Sequence, residues 1–252
     1  MNRREFLAKG GGLVAVSLVG GHFLKEALMP TVRVMGGLNP QRARTFAACV
    51  GIRGLYGQLP ITQVPGYPQS GLVTISPGTD TIQAAITANG DNTKFQLGAG
   101  TFNTTSRIEP KAGQEFWGVP GSLVTKSGGT HTVQFFGLSG RTNVKVMNIA
   151  FSGFSGGQSF VESSIAGWES AYCTMDCDDL MVWGINRIPW AHHNKIWDFQ
   201  QGGVGAYQMG TQFSLPLTVV EDNEIGPNIT TAANGNKWAG VDGGIYRNNW
   251  VH

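Results

Sequence analysis

Toward the end of this chain an asparagine repeatedly precedes a polar or aromatic residue and then an aliphatic one. The three instances are Asn194-Lys195-Ile196, Asn223-Glu224-Ile225 and Asn249-Trp250-Val251. The asparagines are 29 and 26 residues apart, inside the range of roughly 20–50 residues that marks stacked-repeat folds. The physics behind the pattern is direct. Each coil of a β-solenoid turns sharply, and asparagine tolerates the left-handed corner. Its amide can also hydrogen-bond to the same residue in the next coil. The aliphatic residue two positions on then points into the core. A sandwich or barrel would show the same coarse alternation of short strands and turns, so the repeat is what favours a solenoid.

Glycine supports that reading. There are 37 in 252 residues, about twice the usual 7%, which suits tight turns and penalises helices. Charged residues are 13% and the net charge is +2, so neither a nucleic-acid-binding surface nor an acidic solvating tail is written in the composition. One short helix is expected near "TDTIQAAITANG". Thr79 or Asp80 would cap it, Ile82, Ala85 and Ile86 share one face, and Asn89-Gly90 would end it through a left-handed residue. The strand that follows alternates, with Phe95 and Leu97 on one side and Lys94 and Gln96 on the other. Beyond it come only short apolar runs between Gly, Asn, Ser and Asp.

The first residues, "MNRREFLAKGGGLVAVSLVGGHFL", place Arg3-Arg4 before a short uncharged stretch. That is the layout of an export signal, and the arginine pair resembles a bacterial twin-arginine signal. The expected organisation is an export signal over 1–30, a lead-in over 31–75 and a solenoid over 76–252. No stable membrane span is expected once the signal is processed. The protein would be periplasmic or extracellular. Of the three cysteines, Cys49, Cys173 and Cys177, the last two could form a local disulfide or remain buried thiols. Their spacing lacks the second ligand pair of a zinc site.

"PGTDTIQAAITANGDNTKFQLGAGTFN", "IEPKAGQEFWGVPGS" and "VEDNEIGPNI…GGIYRNNWVH" together resemble the single-stranded right-handed parallel β-helix proteins of the pectin-lyase-like superfamily. The resemblance covers about Ser76 to His252. It implies an all-β, right-handed parallel β-helix (a β-solenoid) with a short N-terminal capping helix. Because the chain stops inside what reads as a coil, a C-terminal truncation is expected as well. The superfamily holds lyases, hydrolases, epimerases and proteins with no known reaction. The implied partner is therefore a plant, algal or bacterial polysaccharide, met by a lyase-like or glycoside-hydrolase-like enzyme. The alternative is a non-catalytic surface or glycan-binding protein. A phage tailspike fits less well with an export signal.

Candidate chemistry starts at "MDCDDL". Asp176 and Asp178 on an extended strand would face one side at about 6.6–7 Å, within the roughly 6.5–9.5 Å used by inverting glycosidases. A polar turn would give the same letters. Arg187-Ile188 matches part of the Arg-Ile-Lys motif of polygalacturonases, but Pro189 stands in place of the lysine and their other motifs are missing. Arg187 is thus the candidate catalytic cation. If the chain were a uronate lyase, Ca²⁺ could serve it; otherwise no cofactor or metal is called for. Asp178, Asp198, Asp222 and Asp242 look like an acidic column, but their phase drifts against the asparagine register. In that register His193, Asp222 and Asn248 precede the corner, while Lys195 and Glu224 follow it. His193, Lys195, Asp222 and Glu224, with Trp197 as a stacking ring, form a candidate sugar-binding rim. An ordinary solvated edge would also look like this. His192 and His193, read as strand neighbours, should face opposite ways.

Overall fold

The computed structural model describes residues 57–153, 159–177, 183–197, 202–205, 219–226 and 245–251. Every strand pairing among them is parallel, and the strands stack in three sheets. The first sheet has eight strands in the order Leu72–Ile75, Lys94–Leu97, Glu115–Gly118, Lys145–Met147, Glu169–Ala171, Trp190–His192, Val219–Glu221 and Ile245–Arg247. The second also has eight, from Gly78–Thr79 through Thr174–Asp176, Lys195–Trp197 and Glu224–Ile225 to Trp250–Val251. The third has four: Val133–Phe136, Ser159–Glu162, Trp183–Asn186 and Gly202–Gly205. The chain visits the sheets in rotation, which makes the fold a parallel β-helix. The strand Leu72–Ile75, inside the segment read as lead-in, already pairs with Lys94–Leu97.

Inward-facing side chains stack along the axis. Phe95 and Phe116 lie ring on ring at 5.1 Å, Phe116 meets Phe135 edge-on at 5.2 Å, and the column continues through Phe151 and Phe160. All five rings are buried. The helix Thr81–Ala88 lays Ile82 and Ile86 on the end of this column, covering strand edges that would otherwise stand open. Its ends differ from expectation. Asp80 is itself left-handed (φ 54°) and makes no side-chain cap bond; its carboxylate instead accepts from Thr105. Asn89 is extended, not left-handed, and closes the helix by donating from its amide to Ala85 O at 2.8 Å.

The asparagine register holds with one shift. The left-handed residue is the one before each asparagine: His193 (φ 55°), Asp222 (52°) and Asn248 (56°). Asn148 (59°) and Tyr172 (57°) occupy the same place in two earlier coils. The following asparagine turns inward and builds the ladder. Asn194 Nδ2 donates to Asn223 Oδ1 at 3.0 Å, and Asn223 Nδ2 donates to Asn249 Oδ1 at 2.9 Å. Each amide also donates to a carbonyl one coil back, Ser170, Ala191 or Val220. Cys173 takes the asparagine position one coil earlier, its N–H donating to Asn194 Oδ1. Cys173 and Cys177 are buried free thiols, and burial pushes the Cys173 thiol up to about 12.

Residues 57–59 strap this corner from outside. Gly57 N donates to His193 O, and Leu59 N donates to Asn148 Oδ1. Glycine is required at 57: φ is +78°, and a Cβ would lie 2.6 Å from Thr174 Oγ1. From there Leu59, Val64 and Tyr67 pack on Trp117, Met147, Ala171 and Tyr172, a second apolar cluster on the outer side of the first sheet. Among the described residues no helix is long and apolar enough to cross a membrane.

Candidate functional site

Strand alternation distributes the expected site residues over different faces. Met175 and Ile196 are buried, so Thr174 and Asp176, and beside them Lys195 and Trp197, stand on the outer face of the second sheet. Asp176 lies in register with Trp197, and Lys195 with Glu224. Lys195 Nζ sits 3.4 Å from Glu224 Oε1 and 5.9 Å from the Trp197 ring centre. These are cross-strand neighbours of the kind that stabilises any sheet. Asp178 lies outside the described residues, so the carboxylate pair has no observed separation. Asp198 and Asp242 of the acidic column lie outside them too. Among the described residues no three His, Cys, Asp or Glu side chains converge on a metal position.

Arg187 is elsewhere, at a left-handed position (φ 58°) after the third sheet. Its Nη1 is 3.7 Å from Glu162 Oε1, and Glu162 also accepts from Ser159 Oγ at 2.7 Å. Glu162 and Phe136 line two adjoining clefts of about 480 and 350 Å³. Arg107 and His131 line one, Ser163 and Arg187 the other. Arg107 lies over the Phe136 ring at 4.7 Å.

A further grouping of polar side chains sits where the first sheet meets the asparagine corner. Along the outer face of this sheet Lys94 faces Glu115 (3.8 Å) and Lys145 faces Glu169 (3.4 Å), an axial stripe of alternating charge. The stripe ends at Trp190, one of the few large apolar side chains left exposed among the described residues, at 42%. Trp190 stacks on His192 with centres 4.2 Å apart, and its Nε1 donates to Glu221 Oε1 at 3.0 Å. His192 Nε2 lies 3.0 Å from Glu169 Oε1, and His192 Nδ1 lies 2.8 Å from His193 Nδ1. Tyr172 stacks on His193 at 4.9 Å. Glu221 is further bonded to Arg247.

The two histidines therefore meet, where strand alternation would have kept them apart. The reason is the left-handed residue: at His193 the backbone has left the strand, and its side chain folds back beside His192. Burial would raise the Glu169 carboxyl. The His192 hydrogen bond and the Lys145 charge outweigh burial, so the carboxyl lies below its ordinary range. The Arg247 bond likewise lowers Glu221. Burial, with the neighbouring His192, lowers His193. Burial, Glu169 and Asp222 raise the Tyr172 phenol. Perturbed groups gathered in one largely buried corner are common at reaction centres. His193 and Asp222 are legible as rim residues in the sequence; Glu169, Tyr172, Glu221 and Arg247 are not. Aligning Cys173 on Asn194 would have found Glu169, since it sets Glu169 opposite Trp190 and Ala171 opposite His192, as the pairing does.

No protein-family model and no curated protein sequence matches the chain. Among solved structures, a mutant of the PL6-family alginate lyase AlyGC is similar at 8% identity and a TM-score of 0.34, over 75% of this chain and 42% of that one. The chain thus spans less than half the length of that protein. The assignment to the parallel β-helix fold rests on the stacked parallel sheets themselves.

Proposed function

We propose that this β-helix is a polysaccharide-active protein that engages its substrate along the outer face of the first sheet, with the Glu169–His192–His193 corner as its reactive end. The observation that carries this reading is the exposed Trp190 ring stacked on His192 at the end of an axial stripe of charge. An aromatic face flanked by paired charges suits a sugar ring, and a stripe parallel to the solenoid axis suits an extended polymer. A lyase-like reaction is favoured over hydrolysis because the corner sets paired imidazoles beside its carboxylates, a supply of bases for proton abstraction. Fold alone would not separate these. The exported location follows from the Arg3-Arg4 signal, and replacing both arginines with lysine should leave the protein in the cytoplasm; unchanged export would remove the twin-arginine reading.

The test is a screen of purified full chain on polyuronates and neutral glycans, reading binding and new chain ends together. The expected result is binding to a polyuronate with formation of unsaturated ends. Binding without turnover would favour a non-catalytic glycan-binding protein. Neither binding nor turnover on any glycan would overturn the proposal.

A further inference from the structure

We propose that the corner at Asn248 is a docking position for an extended polypeptide partner, built on the same asparagine clamp with which Asn148 holds this chain's own strap. The partner is taken by its main chain, and the proposal stands apart from any action on polysaccharide.

The clamp is formed at Asn148. Leu59 N donates to Asn148 Oδ1 at 2.7 Å, and Asn148 Nδ2 donates back to Leu59 O at 3.0 Å. One side-chain amide thus engages both the N–H and the C=O of a single residue, the exchange that a paired strand would offer. Asn148 Nδ2 also donates to Gly118 O, one coil back, at 2.7 Å, which holds the plane of the amide. The neighbouring strap residues bind through their amides too. Gln58 N donates to Thr174 Oγ1 at 3.0 Å, and Gly57 N donates to His193 O at 3.1 Å. Binding of this kind reads backbone, so it accepts different sequences in the same extended shape.

Asn248 repeats the arrangement. It is the same residue type in the same left-handed conformation, φ 56° against 59°. Both follow a strand of the first sheet and precede a short strand of the second. Four strand spacings separate them, about 19 Å along the axis. Their cover differs. Asn148 and Tyr172 are buried, His193 and Asp222 are half-buried, and Asn248 is exposed. The Asn248 amide makes no hydrogen bond among the described residues. A phenol, an imidazole or a carboxylate does not set a donor and an acceptor side by side on one edge. Of the described left-handed corners in this row, only Asn148 and Asn248 therefore carry the clamp, and Asn148 is already filled.

The surroundings say what kind of segment fits. Leu59 belongs to the apolar cluster that includes Met147, the outward residue just before Asn148. The residue before Asn248 is Arg247, whose side chain is 60% exposed. Ile245 stands on the same outer face two residues earlier and is exposed at 40%. Ile245 and the stem of Arg247 give an aliphatic side chain a surface to lie on. The fitting partner is thus an extended segment with a free N–H and C=O at an aliphatic residue.

The test uses ¹⁵N-labelled full chain and the peptide acetyl-Tyr-Gly-Gln-Leu-Pro-amide, which copies the strap. Titration should shift the side-chain amide resonances of Asn248 and leave those of Asn148 in place. Methylating the leucine nitrogen of the peptide removes the donor to Oδ1 and should weaken binding at least about fivefold. Asn248→Asp removes the Nδ2 donor and should weaken it as much. That variant keeps the fold, because Asp222 already holds this left-handed conformation. Four results would overturn the proposal. One is no shift at Asn248 at millimolar peptide. Another is a shift at Asn148 instead, meaning that the peptide only displaces the strap. A third is equal binding by the methylated peptide. The last is an Asn248 side-chain amide already protected from hydrogen exchange before peptide is added, meaning that this chain fills the position itself.

Discussion

The early and late coils of this solenoid are held together by different physics. Around Phe95, Phe116 and Phe135 the interior is a column of stacked rings, closed at one end by Ile82 and Ile86. In the first sheet the stacked inward position then runs from Phe95 and Phe116 through Val146, Ser170 and Ala191 to Val220. The rings give way to small side chains, and the corner beside them fills with Asn194, Asn223 and Asn249. Aromatic packing is adaptable, since stacked and edge-on contacts both serve along the column. An amide ladder is directional: it fixes the height of each coil against the next. The polar corner, where His193 must meet His192, lies in the part that is fixed by direction.

Breaking each half should show the contrast. The largest effect is expected from Phe116→Ala, which removes a fully buried ring from the middle of the column and should cost about 3–5 kcal/mol in urea unfolding. Asn223→Ala comes next. It deletes one side chain that both accepts from Asn194 and donates to Asn249 and Ala191, leaving buried partners unsatisfied, at about 2–3 kcal/mol. It should also disturb the His192–His193 contact, seen as changed imidazole ¹⁵N shifts, whereas Phe116→Ala should leave those shifts alone in protein that remains folded. The smallest effect is in acid. Because the Glu169 carboxyl is lowered in the folded protein, its contribution is fully present above the unfolded carboxyl pKa and is lost as pH falls through the folded value. The wild type should lose stability over that window more steeply than Glu169→Gln, and equal slopes would show that Glu169 gains nothing from its partners.

How much of this was legible in the sequence differs between the two halves. The solenoid itself was readable because Asn-x-aliphatic marks one position per coil, and Ile196 and Ile225 do point inward. The helix and the Phe95/Leu97 alternation were readable for the same reason, a local period. The exact corner residue was missed by one place, because asparagine is the usual left-handed residue and here its amide has a second use. His192 and His193 were set on opposite faces because the strand period was carried one residue too far. Glu169 is hidden because its own coil has Cys173 where the three later coils have asparagine, so the register breaks at the coil that supplies the carboxylate.

The column of left-handed residues has a consequence for change. Asn148, Tyr172, His193, Asp222 and Asn248 share one backbone conformation. Yet their side chains run from amide to phenol to imidazole to carboxylate. At four of these corners the neighbouring inward residue, Cys173 or an asparagine, ties the backbone across coils, so the identity of the corner side chain is largely decoupled from the fold. A bulky residue there carries a left-handed penalty of about 1–2 kcal/mol, which the surrounding coils absorb. The corner thus behaves like a row of sockets at fixed pitch, where chemistry can be exchanged one position at a time while the spacing between positions stays set by the sheet.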